Sequence, residues 1–144
     1  MSAPLQTTSR RTDRTGLILR VVGALALGFS AYLHARIASD APPLFEDGGV
    51  TLSGLFVGQA VAATVVSLWV LVQGSRLAWL AFGVVALGSF VAVVMSTYVK
   101  IPSIGPLPVI YDPVWYTDKT LAAIAAGVAT LVAAVALARS RRVA

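Results

Sequence analysis

The sequence predicts an all-α fold: a four-helix transmembrane bundle, antiparallel, with both termini cytoplasmic. Three observations predict it. Of 144 residues, 58% are hydrophobic and only 12% charged, a balance far more apolar than that of a soluble domain. The apolar residues fall into four runs, each close to the ~20 residues that cross a hydrocarbon core of roughly 30 Å. Basic residues also collect at one side of the alternating runs. Because backbone groups in lipid must bond within their own segment, the runs are read as helices.

Residues 1–15 are polar, carry Arg10, Arg11 and Arg14, and are expected to form a disordered cytoplasmic tail. The first helix is expected over residues 16–37. Arg20 lies near its start, from where its long side chain can snorkel to the headgroups. The same stretch has the outline of a secretory signal, with a basic start, an apolar run and small residues from Ala35 to Ala41. An arginine inside the run, and the interfacial finish of Tyr32, His34 and Arg36, favour a retained helix.

The connector 39–49, SDAPPLFEDGG, stops the helix at Pro42 and Pro43 and releases the chain at Gly48 and Gly49. Helix two, residues 50–72, has no charge in 23 positions. A short polar turn, Gln73 to Arg76, forces helix three, residues 77–99, to return beside it as a hairpin. Residues 100–119, KIPSIGPLPVIYDPVWYTDK, hold four of the seven prolines and cannot be helical. Ile101, Ile104, Leu107, Val109 and Ile110 make this segment too apolar for a free loop. It is therefore expected to lie on the bundle as an external lid. Tyr98, Tyr111, Trp115 and Tyr116 fit an interfacial aromatic belt. Asp112 reads as a turn residue and Asp118 as the N-cap of helix four, residues 120–138. That helix contains nine alanines and ends at a basic tail, 139–144.

Orientation follows from the charges flanking the spans. Arg10, Arg11, Arg14, Arg20, Arg76, Arg139, Arg141 and Arg142 face Asp13 alone on one side. On the other, Arg36, Lys100 and Lys119 are outnumbered by Asp40, Glu46, Asp47, Asp112 and Asp118. The first side is read as cytoplasmic and the membrane as the cell (plasma) membrane. This placement also accounts for the net charge of +5 without invoking nucleic acid, since the basic residues flank spans rather than stacking aromatics.

The residues that carry chemistry are few. There is no cysteine, which excludes thiolate nucleophiles and disulfides within the chain. No catalytic residue and no complete metal-ligand set stands out, and no cofactor is called for. A zinc or copper site at the sole histidine, His34, would need Asp40, Glu46, Asp47 or Asp112 folded over it. Helix two offers Gly54, Gly58 and Ala62 at spacing four, a ridge of small residues suited to helix packing or partner docking. Packing within the bundle is the plainer reading of it. Arg outnumbers Lys nine to two, the mark of a GC-rich coding bias that multiplies alanine matches, so only Gly54 and Gly58 rise above background. Gln59, Thr64 and Ser67 are the notable polar side chains inside helix two, and Gln59 is able to bond a neighbouring helix or a ligand carbonyl. His34, Arg36, Lys100, Asp112 and Tyr116 are candidates for an external pocket or docking face under the lid.

Four spans, the IPSIGPLP segment and the PVWYTDK lead-in to an alanine-rich last helix resemble a group of small, functionally uncharacterised integral membrane proteins of high-GC Gram-positive bacteria. More distantly, the layout is similar to DoxX-like four-helix proteins, which implies a quinone-linked or redox role. The chain departs from a thiol-based version of that role by having no cysteine pair. The expectation drawn from these features is a non-enzymatic accessory or structural subunit that meets the bilayer and another membrane protein, or a second copy of itself. The alternatives are a DoxX-like quinone-binding protein using His34, Gln59 and the lid tyrosines, and a transporter of a small neutral solute.

Overall fold

The computed structural model describes residues 13–40 and 42–143. Four helices carry the fold: α1 (Arg14–Ser39), α2 (Leu52–Val72), α3 (Arg76–Tyr98) and α4 (Thr117–Val143). All four are long and apolar enough to cross a membrane. Their outward faces are apolar too: Leu25, Val84 and Leu131 are 69%, 71% and 69% exposed. Water would penalise that surface, whereas lipid tails match it.

The helix ends follow local chemistry. Thr51 caps α2 by accepting from the Gly54 amide at 3.2 Å, and its own hydroxyl donates to the Pro43 carbonyl at 2.6 Å. Ser75 caps α3 in the same way through the Ala78 amide at 3.2 Å. Gly74, with φ +58°, makes the tight reversal between α2 and α3.

Several boundaries differ from expectation. α1 already begins at Arg14, while residues 1–12 of the expected tail lie outside the described residues. α4 begins at Thr117, so Asp118 sits in its first turn and is not the N-cap. From there its carboxylate still favours the helix dipole. At its other end α4 runs on to Val143 through the residues expected as a basic tail, because Arg and Ala are strong helix formers and no breaker intervenes.

The longer connecting segments are not plain loops. β1 (Phe45–Glu46) and β2 (Gly49–Val50) pair antiparallel, with Phe45 opposite Val50. Between them Asp47 and Gly48 have φ of 50° and 77°, the two positive values that a type I′ hairpin turn requires. The lid forms a second, narrower hairpin. Ile101 and Ile110 exchange backbone hydrogen bonds at 3.1 and 3.0 Å, and Ile104 and Leu107 do so at 3.3 and 3.0 Å. Gly105, with φ +57°, opens the turn between the latter two. Pro102, Pro106 and Pro108 fall between the residues that donate, so the missing N–H groups cost the ladder nothing. This hairpin is stitched to the rest by Asp112 N–H to the Ser96 carbonyl at 2.8 Å and by Val50 N–H to the Pro106 carbonyl at 2.9 Å.

α1 packs against α2 and α4, α3 packs closely against α4, and α2 meets α3 more sparsely. The fully packed core lies in the half of the bundle remote from the lid. It is built on Leu27, Val70, Trp79 and Phe82, with Ala129, Ala133 and Ala136 of α4 against them. On α4 the buried alanines Ala122, Ala126, Ala129, Ala133 and Ala136 recur at spacings of four and three, which is one helix face. These alanines let α4 approach its neighbours, as small residues do between helices in lipid. The alanines discounted in the sequence thus form the seam by which α4 packs on α1 and α3.

Candidate functional site

Beneath the lid the packing opens into a cavity of about 240 Å³. Ile37, Leu52, Leu55, Phe56, Ala92 and Val93 give it apolar walls, and Ile110 of the lid closes over them. Set into these walls are His34 of α1, Gln59 of α2, Ser89 and Ser96 of α3, Asp112 and Tyr116 of the lid, and Lys119 of α4.

His34 is 4% exposed, and its orientation is fixed from its own helix. Nδ1 lies 2.8 Å from the Ser30 carbonyl. A carbonyl only accepts, so Nδ1 carries the proton, and in the neutral ring Nε2 keeps its lone pair. The Ser30 hydroxyl meanwhile donates to the Ala122 carbonyl at 3.2 Å, tying α1 to α4 directly behind the imidazole. Phe56 holds the ring from α2 with an edge contact, centroids 5.7 Å apart and planes at 71°. No hydrogen bond among the described residues engages Nε2.

Across the cavity two buried polar atoms lack any partner: Gln59 Nε2 and Ser89 Oγ. Orphaned buried donors are rare, because each one left unmade costs about 1–3 kcal/mol. Of three such atoms among the described residues, these two belong to residues that line the same small space, and the third, Ser67 Oγ, does not.

Lys119 forms the mouth. It is 4% exposed, its ammonium donates to the Asp112 carbonyl and sits 3.3 Å from Asp112 Oδ2, and it lies 5.4 Å from the centre of the Trp115 ring. A cation in the first turn of α4 opposes the helix dipole, so the Asp112 carboxylate is what keeps it there. Tyr116 stands beside the pair. Its hydroxyl pKa is pushed up to about 12, first by burial and then by the charge and hydrogen bonding of Asp112, with Asp118 adding to it.

Four of the sequence candidates therefore meet in one place: His34, Gln59, Asp112 and Tyr116. Arg36 does not join them. It reaches sideways to Asp118, Nε to Oδ2 3.4 Å, and links the last turn of α1 to the first turn of α4. Lys100 is exposed at the end of α3 and does not line the cavity. Of the glycine ridge, Gly54 is occupied within the chain, since a Cβ there would run into the Leu44 carbonyl and come within 2.6 Å of Val50 Cγ1. Gly58 instead faces open space, and Ala62 is half-buried. Lys119, Ser89 and Phe56 were missed by the sequence reading. The two hydrophilic ones look ordinary in sequence, and the only available signal was a lysine directly after an acidic residue at a helix start.

Glu46 and Asp47 line a separate surface depression with lid residues 103 and 105–108, away from His34. No group of three or more His, Asp or Glu side chains able to hold a metal ion occurs among the described residues.

Four apolar helices of spanning length, with a polar-studded cavity under one end, define a small multi-pass membrane protein. The chain matches no protein-family model, no curated protein and no solved structure. Its own geometry therefore carries the functional reading.

Proposed function

We propose that this protein binds a small membrane-soluble molecule in the cavity under its lid, through a hydrogen-bond-accepting group such as the carbonyl of a quinone. The observation that carries this reading is the pair of unpartnered donors, Gln59 Nε2 and Ser89 Oγ, on the cavity wall. An acceptor placed between them removes the cost of leaving both unmade. The apolar walls suit a ring or chain, and His34 Nε2 supplies the complementary acceptor for a hydroxyl, as in a quinol. Access comes from the membrane or past the lid, and the cytoplasmic placement of both termini puts this mouth outside the cell. The antiparallel course of the helices and the plasma-membrane setting belong to the same proposal and rest on the charge asymmetry.

The test is a titration of the detergent-solubilised protein with a short-chain benzoquinone, followed by tryptophan quenching. Saturable binding is expected. Gln59→Leu should weaken it about tenfold, the worth of one hydrogen bond. Absence of saturable binding to the native protein would overturn the carbonyl reading.

A second reading, the accessory subunit, is favoured by one observation. Gly28 of α1 has open space where a Cβ would stand, in a shallow groove shared with Ala31, Ala35 and Ala60. A partner helix with small residues would fit there. Gly28→Leu should abolish co-purification of such a partner while leaving the fold intact; an unchanged complex would exclude the groove.

A further inference from the structure

We infer that the opposite end of the bundle holds a second site, a pocket for the phosphate of an anionic lipid headgroup, built by Arg20, Arg76 and Arg139. A pocket of about 240 Å³ opens there between α1, α3 and α4, where these three arginines meet Trp79 and Ser140. The one acidic side chain on its wall is Asp13, which is exposed and 3.5 Å from Arg139. Net positive charge remains after that pairing.

Arg20 is the informative member. It is half-buried, yet among the described residues it has no ion pair and no side-chain hydrogen bond. Its guanidinium lies against the backbone of Gly74, so close that a Cβ at that position would overlap Nε and Cζ. Gly74 has φ +58°, so glycine is required there twice over, for the turn and for the arginine. The α2–α3 turn thus acts as a shelf that holds the guanidinium at the pocket instead of letting it snorkel freely. Gly74 and Arg76 also place the pocket beside the N-terminus of α3, whose dipole favours an anion.

The depth fits a headgroup. Arg20 lies six residues into α1, about 9 Å along the axis from Arg14 at 1.5 Å per residue. A planar guanidinium held at that level matches the oxygens of a phosphodiester. Arg141 and Arg142 at the same end are exposed, do not line the pocket, and supply only diffuse charge.

The experiment uses the full chain in neutral detergent, melted with added phosphatidylglycerol or phosphatidylcholine, and separately with glycerophosphate as a soluble headgroup. The readout is the difference in melting temperature between anionic and neutral lipid, which cancels any general destabilisation by a variant. Phosphatidylglycerol should raise the native melting temperature more than phosphatidylcholine. Arg20→Gln should weaken the anionic lipid's effect about fivefold in concentration, the ratio one basic side chain contributes near an anionic surface. Arg20→Lys should retain part of it. Gly74→Ala, which displaces the guanidinium without removing charge, should lose it like Arg20→Gln. Arg141→Gln should change nothing. An equal effect of glycerophosphate would show that the free anion suffices and would overturn the lipid assignment. Equal losses in Arg20→Gln and Arg141→Gln, or no preference for anionic lipid, would overturn the site itself. Neither outcome bears on the lid cavity.

Discussion

Around Phe82 and Trp79 the rings meet edge to face at 5.3 Å, and alanines of α4 fill what remains, whereas beneath the lid about 240 Å³ stays open between His34, Gln59 and Ser89. Both regions are enclosed by the same helices. They differ in what α3 contributes: Trp79 and Phe82 in the packed half, but Ser89, Ala92, Val93 and Ser96 in the other. Large rings fill the centre of one half, whose outer end opens into the arginine-lined pocket, and small side chains leave the other for the lid to cover. The lid spans that gap with its own backbone hydrogen bonds and is tied to α3 by the Asp112 N–H to Ser96 carbonyl bond and to α4 by the Asp112–Lys119 pair. One half therefore provides stability, and the other gathers Gln59 and Ser89 at one cavity, although the packed half also holds an unpartnered hydroxyl, that of Ser67.

Truncating a ring in each half is the most direct way to break this comparison. Phe82→Ala, at a fully buried position, should cost about 4 kcal/mol, the range for a large-to-small change in a packed core. Phe56→Ala, at the cavity wall, should cost about 1 kcal/mol, mainly its edge contact with His34. Reversible unfolding in mixed micelles would measure both; equal costs would mean that the cavity half is as tightly packed as the core.

A somewhat smaller effect is expected at the mouth. Asp112→Ala leaves the Lys119 ammonium buried without its carboxylate and should destabilise by about 3 kcal/mol, as removing one member of a buried pair does. The double change Asp112→Ala with Lys119→Met should recover much of that loss. If the double variant is no better than the single one, the charge pair is not what holds the lid.

The smallest effect is a pH dependence at Tyr116. Its folded-state pKa, about 12, exceeds the ordinary tyrosine value of 10, so the folded state keeps this proton longer than the unfolded chain does. The stability linked to it is complete below about pH 10 and is lost as pH rises towards about 12. Tyr116→Phe should remove this alkaline component from a melting series. An unaltered alkaline slope would place the cause elsewhere.

The helices were legible because lipid imposes a rule that each segment obeys alone: bond internally and be apolar for long enough. The lid's contact with the bundle was legible in outline, because a segment rich in proline and isoleucine can neither be helical nor float in water. The hairpins were not anticipated, although Asp47-Gly48 is a turn signal of the right kind. Two-residue strands have too little pattern to register. At the site, His34, Asp112 and Tyr116 were grouped under the lid together with Arg36 and Lys100, which the cavity leaves out, and Gln59 was named apart. Nothing local says which of these side chains turn toward one space.

What the sequence determined by itself is thus the set of four spans, the positions of the interruptions, and the side of the bundle on which charge collects. Those depend on hydropathy and backbone chemistry within single segments. Only the tertiary structure decided that Lys119 is buried against Asp112, that Gln59 and Ser89 face one cavity without partners, and that Gly54 serves the connector while Gly58 stays open. Those outcomes depend on how helices rotate about their axes and where the lid's backbone crosses them. Between apolar helices in lipid, rotation is set by the fit of small and large side chains across several segments, and no single stretch of sequence contains that fit.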